Sequence, residues 1–582
     1  MALSLKWDLT DFYKSTKDKK IDADLKAYKT KVIAFAKNYK GKIAKLNAKT
    51  FNEAIKKYED ISSIANTMGI YAYLNVSTQF NNKEALSFYQ NIEEKLTEFG
   101  KPLLFFSLEI NALDDKKFET ISKGSFYLPW LKKVRSFKDY ELSEELEEIL
   151  LLKSTPAHSN WVRLYDETSS KLKYTVDGKE YSDAEISRLF MDQDAGVRQR
   201  AGSEFAKVSK ENNSLFSLIY NTLIKDKAIS DDKRGFKSPV ASENLTNQVD
   251  DKVVENLANT VREKYKTTSH KYYKIKAKLM GVKKLGYWDR NAPLPFAKDT
   301  QMEYKDAVPM VLNAYEKFSP KLREIAEPFF ENSWIDVMPK DGKRSGAYAM
   351  PWIKHPYLFL NWTGKRRDAL TLAHELGHGC HMRLSAKQGE LQDAAPMVLA
   401  EVASVFGEML TFQYMLEHTT NREEKICLLA GKIEDMLNTA IRQIAYHFFE
   451  TRCHDLRKTS EISEETFENI WAEEIKASLG SGVEFPKECG ATWSYISHFY
   501  HRAFYVYAYS FADCLVNSLY QAYQSGKVKD FEDKYLNMLS LAGTQSYDEL
   551  VKPFGLKAKS KEFWAMGLGL IEKYIDELEK LV

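Results

Sequence analysis

Two histidines and a glutamate, in the order His374-Glu375-Leu376-Gly377-His378, are the residues of this chain best placed to do chemistry. Residues four apart on a helix share a face, so both imidazoles can meet one metal ion with Glu375 beside them. The H-E-x-x-H pattern reads as a zinc peptidase site, two ligands and a general base. The chain has 11 His and 82 Asp+Glu in 582 residues, so chance gives at most roughly 0.03 matches.

A catalytic zinc takes three protein ligands and leaves one position open. The third should come from the next helix, which the sequence predicts over Met397–Glu408. If that helix pairs antiparallel with one spanning 366–387, the turn must lie midway between the ligands. The midpoint of 378 and 401 is position 389.5; residue 389 is glycine, and Asp393 and Pro396 follow as helix-start signals. This symmetry sets Glu401 at the height of His378 and makes it the expected third ligand. Glu390 and Asp393 fall in or near the turn, too far from the histidines. Glu408, seven residues past Glu401, either orients a ligand imidazole or is an ordinary helix-face carboxylate. His381 is the competing histidine, but three ligands on one helix would sit at different heights.

A second concentration of chemistry lies at Trp493–Tyr509, with Tyr495, Tyr500, Tyr505, Tyr507, Tyr509, His498 and His501. The plain reading is an aromatic core helix. The chemical one is that phenol or imidazole N–H groups stabilise the negative charge that develops in peptide hydrolysis. His498 and Tyr505 are seven apart, as are Tyr500 and Tyr507 on another face. Both pairs reach one site only if 495–501 is a loop and the helix begins after about Arg502.

The elements that must position these groups are mostly helices. Gly (26) and Pro (15) are scarce for 582 residues, which suggests long helices. Trp7–Tyr13 reads as a capping segment before an apolar helix, and residues 20–115 as successive helices interrupted at Gly100-Lys101-Pro102. Asp177-Gly178 between β-formers predicts a small hairpin over Tyr174–Tyr181. Leu285–Asp289 and Tyr357–Trp362 read as short strands, the second just ahead of the metal motif. The stretch Phe504–Leu519 contains Asp513 and several tyrosines and reads as a buried helix, not a membrane span. The expected fold class is therefore all-α with a small β element.

A net charge of +2 gives no electrostatic reason for a nucleic-acid partner, and no run of one sign suggests a membrane surface. The N-terminus lacks the pattern of a secretory signal. Five scattered cysteines without a C-x-x-C pair fit a reducing cytoplasm, and Cys380 reads as a small buried residue.

With these residues in view, the chain resembles the oligoendopeptidase F family, within the thimet-type oligopeptidases, nearly end to end. The likeness is carried by Trp7-Asp8-Leu9, Arg234-Gly235-Phe236, Gly346-Ala347-Tyr348, Pro356-Tyr357 leading to Asn361, Thr371–His378, Ala400–Ser404, His498-Phe499-Tyr500 and Phe504–Tyr507. It implies an almost all-helical peptidase with a deep cleft that admits short peptides. One Zn2+ per chain would be held by His374, His378 and Glu401. Glu375 would be the general base, with His498, Tyr507 and Tyr505 assisting the transition state. Tyr348 and Tyr500 are expected to bind substrate. The expected organisation is an N-terminal helical domain over 1–200 and a catalytic domain over 201–582, the cleft between them.

The leading functional expectation is a cytoplasmic zinc endopeptidase acting on oligopeptides, with no nucleic-acid or membrane partner; the sequence sets no oligomeric state. The strand at 357–362 could pair with the substrate backbone or be purely structural. A second reading is a helical zinc carboxypeptidase or dipeptidase that captures a terminal carboxylate with Lys365, Arg366 or Arg367. A third is a non-catalytic helical binding protein, against which the intact ligand set argues.

Overall fold

Long helices form where proline is absent and caps are present. Asn47 caps the helix Ala48–Ser77, of 30 residues, and Asp194 caps Ala195–Arg234, of 40 residues, which ends at Gly235 in the left-handed conformation. A computed structural model describes residues 4–298 and 301–582. It is 70% helical with 3% strand, so the all-α class with a small sheet holds. No helix among the described residues is long and apolar enough to cross a membrane.

Two compact units interleave along the chain. The first comprises residues 1–138, 299–415 and 529–554; the second comprises 139–298, 416–528 and 555–582. The boundary expected at 200 falls inside the uninterrupted helix Ala195–Arg234, which belongs wholly to the second unit.

In the first unit, helices Lys19–Tyr39, Ala48–Ser77 and Lys83–Gly100 bury a core that includes Val32, Phe51, Ile55, Phe106 and Leu131. Each fully buried side chain of this kind contributes about 1.5–3 kcal/mol. The opening segment caps no helix; the first helix is capped by Asp18. Instead Trp7 packs against Tyr357 and Phe359, with ring centroids at 6.0 and 5.7 Å, and Asp8 N–H donates to the Ser333 carbonyl at 2.8 Å.

That packing covers a three-stranded sheet. Tyr357–Phe359 is its middle strand, parallel to Ile335–Asp336 and antiparallel to Tyr348–Met350, with Tyr348 opposite Phe359. This shortens the strand read from the sequence and favours the structural one of the two roles left open for it. The strand stops at Phe359, short of Trp362. As an inner strand, buried at all three positions, it has no unpaired edge to offer a substrate. Tyr348–Met350 lies at the sheet edge and packs on the helix Arg366–Ser385.

In the second unit, Tyr174–Val176 and Lys179–Tyr181 form the expected hairpin, and both turn residues, Asp177 and Gly178, have positive φ as a tight I′-type turn requires. Only Leu285–Gly286 of the expected second strand is extended; Tyr287–Asp289 turns into a 3-10 helix. The helix Tyr507–Gln524 is the buried one read from the sequence, and it packs on Lys561–Glu579.

Candidate metal centre and tyrosine segment

The helix Arg366–Ser385 carries the motif. Its start is fixed by Asp368, whose carboxylate accepts from the backbone N–H of Thr363 at 2.6 Å and of Lys365 at 3.1 Å. It ends in a 3-10 turn, Ala386–Gln388, and then Gly389 at φ +79° reverses the chain. His374 and His378 share one face, their rings 5.0 Å apart.

Glu401 does not sit within one long helix, as the sequence suggests. A single turn, Met397–Ala400, precedes it and Val402–His418 follows, so Glu401 lies at the break. Its Oε2 is 3.2 Å from His374 Nε2 and 3.2 Å from His378 Nε2. Among the described residues these three are the one His/Cys/Asp/Glu group whose ligand atoms all lie within 4.8 Å of one another. Tetrahedral zinc with bonds near 2.0–2.1 Å separates its ligand atoms by about 3.4 Å, close to both Glu401–imidazole separations, so the donor types and spacing suit that ion.

The approach of the two helices depends on residues that motif matching passes over. A Cβ on Gly377 would collide with the Ala403 carbonyl and lie 2.7 Å from Ser404 Cα. A Cβ on Gly407 would meet the Tyr315 hydroxyl and lie 3.1 Å from the Ala373 carbonyl. Only glycine at both positions lets the backbones touch. The pairs 377–403 and 373–407 are centred on position 390, so the helices run antiparallel about the turn at Gly389. Tyr315 OH donates to Ala373 O at 2.6 Å, and Tyr535 OH donates to Val402 O at 3.1 Å, bracing each helix. Ser404 Oγ donates to Glu401 Oε2 at 2.7 Å and fixes the carboxylate. Glu408, left open by the sequence, lies with Oε2 3.4 Å from His374 Nδ1 and so faces the ring nitrogen that points away from the cluster.

Burial alone would raise the Glu401 pKa, but hydrogen bonds to both imidazoles outweigh it and hold the carboxyl well below its usual range. For His374 burial works against the proton, yet Glu401 and Glu408 raise it to about 10. A cation entering this group must displace that proton. Glu375, between the histidines in sequence, is buried, and burial raises its pKa. His381 is outside the cluster: burial lowers it to about 4. Cys380 is fully buried, its thiol pushed up to about 12, and is inert as expected. Lys365, Arg366 and Arg367 begin the motif helix, seven to nine residues before His374.

Glu390 and Asp393 lie in the turn, outside the three-residue group. Asp393 is raised to about 7 by burial, by Glu390 and by Glu59. Its ordinary value is 3.8, so the folded state retains a proton that the unfolded chain loses. Stability is therefore full below the unfolded pKa and falls as pH rises toward 7. Asp393→Asn should stabilise the protein by about 1–2 kcal/mol at pH 8, discounted for partial solvent contact, and by less at pH 5. Melting curves across that range check it; a difference independent of pH would refute the assignment.

In the second unit, residues 495–501 are not a loop. A 3-10 stretch, Lys487–Tyr495, leads to one helical turn, His498–His501; the long helix starts only at Tyr507. Of the expected pairs, His498 and Tyr505 stay together while Tyr500 and Tyr507 part. His498 stacks on Tyr505, rings 5.5 Å apart, and its Nε2 lies 3.1 Å from Tyr509 OH. These three side chains are partly exposed. Tyr507 points elsewhere, fully buried, its hydroxyl accepting from Asn247 Nδ2 at 2.9 Å. Tyr500 is 1% exposed and stacks on Tyr165 at 3.7 Å, a position that offers a peptide no ring face. In the first unit, Tyr348 is partly buried, stacked on Phe359 at 4.6 Å, and donates to Ser77 Oγ at 2.8 Å. Sequence reasoning missed Asn247 and Glu243, which hold this segment through Tyr507 and Arg502, because nothing near them carries a motif.

Known proteins resemble this chain over nearly its whole length. The family model described as peptidase family M3 matches residues 189–570, and one described as oligopeptidase F matches residues 109–174. The chain is 25% identical over 591 residues to an oligoendopeptidase F homolog of Borreliella burgdorferi, covering 99% of this chain and 98% of that one. It is 25% identical over 598 residues to the oligopeptidase PepF of Bacillus subtilis, covering 99% and 87%. A chain solved from Chlamydophila abortus superposes with a TM-score of 0.86 at 22% identity, covering 99% and 98%. The oligoendopeptidase-F of Enterococcus faecium gives 0.71 at 18% identity, covering 97% and 99%.

Proposed function

The chain belongs to peptidase family M3, the metallo-oligopeptidases, and from that premise we propose that it is a zinc-dependent endopeptidase hydrolysing short oligopeptides. The observation that carries the proposal is the His374–His378–Glu401 group, with Glu375 on the same helix turn. Bound by those three residues, zinc supplies Lewis acidity to the scissile carbonyl and makes water a better acid.

The chain's own residues do the rest. Glu375 takes the proton of the attacking water and returns it to the departing amine. Glu408 orients His374 through Nδ1, and Ser404 holds Glu401. His498 and Tyr505, partly exposed, are the proposed hydrogen-bond donors to the developing oxyanion. Tyr507, buried here with its hydroxyl accepting from Asn247 and its own proton still free to give, is the third once it turns toward the substrate. Tyr348–Met350, at the edge of the sheet, takes over from the inner strand as the segment to which a peptide backbone adds. Main-chain pairing of this kind asks little of substrate sequence. The setting is the cytoplasm, where the five free cysteines stay reduced.

The carboxypeptidase reading requires a cation near the scissile bond. Lys365, Arg366 and Arg367 are seven to nine residues before His374, roughly 10–14 Å along the helix axis, too far for a carboxylate one residue from the cleaved bond. An internally quenched peptide blocked at both ends should be cut, with activity abolished by a chelator and restored by zinc. Release of C-terminal residues from free peptides only, with blocked peptides intact, would replace the endopeptidase by the exopeptidase.

A further inference from the structure

The segment that carries His498, Tyr505 and Tyr507 contains a backbone conformation that side-chain-bearing residues avoid. Phe504 has φ +61°. Before it Arg502 is extended, at φ −156° and ψ 104°; after it Val506 opens the helix Tyr507–Gln524. The left-handed residue is thus the turn between the His498 helical turn and the tyrosine helix. It directs Tyr505 and Tyr509 toward His498, and Tyr507 toward Asn247. Such strain persists only where the surroundings over-determine it, and it concentrates at functional sites.

The flanks are held by one carboxylate: Glu243 accepts from Arg502 Nε at 3.0 Å and from Asn247 Nδ2 at 3.0 Å, and Asn247 in turn holds Tyr507. The turn itself is held by a different residue. Phe504 N–H donates to Glu450 Oε1 at 2.9 Å. Glu450 belongs to the helix Arg442–Arg457 and is 0% exposed, and its Oε2 has no hydrogen-bond partner among the described residues. We propose that Glu450 is a positioning residue: its carboxyl accepts the Phe504 N–H, holds the left-handed turn, and so fixes where His498, Tyr505 and Tyr507 point. The proposal rests on the reading that these side chains donate to the oxyanion.

The chemistry of the site suits this task. Burial, with the nearby Glu243, pushes the Glu450 carboxyl up to about 8 against the opposing pull of the Phe504 N–H and Lys227, so at neutral pH it is mostly a neutral acceptor. An uncharged amide of the same shape can replace such an acceptor. An apolar side chain leaves the Phe504 N–H buried and unpaired, and the turn then relaxes toward ordinary φ values.

The test is a set of full-length zinc-loaded variants assayed on a blocked quenched peptide. Glu450→Leu should lower kcat by about 10- to 100-fold, the scale set by small misplacements of catalytic groups, with KM and zinc content near wild type. Glu450→Met, measured alongside in case the shorter side chain hinders folding, should show the same loss. Glu450→Gln should restore kcat to within about threefold, since its carbonyl accepts the same N–H. Tyr507→Phe, alone and with Glu450→Leu, separates this proposal from the one it rests on. If Glu450 acts through the segment, the two losses are less than additive. Undiminished kcat in Glu450→Leu and Glu450→Met beside a damaged Tyr507→Phe overturns the role of Glu450. So does a loss in Glu450→Gln as deep as in Glu450→Leu. Undiminished kcat in Tyr507→Phe itself removes Tyr507 as donor, whatever Glu450 does.

Discussion

Glu375→Gln keeps a full complement of zinc and loses turnover by about 10²- to 10⁴-fold, the range a positioned general base contributes. Glutamine has the shape of glutamate, so the helix Arg366–Ser385 and its two imidazoles stay as they are. It cannot accept a proton at neutral pH, and proton transfer is the role assigned to this side chain. The position supports that role: Glu375 is 5% exposed, next to His374 in sequence but not among the three groups gathered around one point. Metal analysis and single-turnover cleavage of the blocked peptide, on the same preparation, make the measurement. Near-normal turnover with full metal would remove Glu375 as the base. Loss of metal together with turnover would show that the substitution disturbs the ligand helix instead.

Glu401→Ala fails at the earlier step. Structural zinc sites of four ligands bind with about 10–16 kcal/mol, so one ligand is worth on the order of 3 kcal/mol, or about 10²- to 10³-fold in affinity. Removing the carboxylate takes away the one atom that lies 3.2 Å from both imidazoles. Wild-type protein should gain thermal stability when zinc is added, because metal binds the folded state preferentially; Glu401→Ala should show little or no gain at the same free zinc. This readout is independent of turnover. Full occupancy of the variant at low free zinc would assign the third ligand elsewhere, with Glu408 the nearest candidate through its contact with His374. Glu408→Gln, by contrast, leaves all three donor atoms in place.

The motif and its partner were legible for different reasons. His374, Glu375 and His378 are local: helical periodicity alone sets the two histidines on one face with Glu375 one residue beside it. Glu401 is 23 residues beyond His378, yet the reversal at Gly389 is also local, and two antiparallel helices about a short turn leave few ways to align. Contacts centred on position 390 lie within one residue of the alignment read from the turn. What the pattern could not give was the break of the helix at Glu401, because no Gly or Pro falls between Met397 and Val402 and nothing at that position signals the interruption.

The strands and the tyrosines show where such reasoning stops. Tyr357–Phe359 has the composition of a strand, but whether it is an inner or an edge strand depends on Ile335–Asp336 and Tyr348–Met350 pairing on either side. That pairing is a matter of tertiary register and has no local signature. Seven-residue spacing likewise predicts a shared face only within one helix. The turn at Phe504 breaks the helix between Tyr500 and Tyr507, so spacing across it carries no geometric meaning.

Periodicity, composition and a short-range turn were enough to read the helical class and the gathering of His374, His378 and Glu401. Tertiary structure alone decided how closely the two ligand helices meet, through Gly377 and Gly407. It alone decided which strand lies at the sheet edge, and which way each tyrosine faces, through Asn247 and Glu450. Those outcomes depend on groups distant in sequence excluding, or bonding to, one another in space, and no local pattern encodes them.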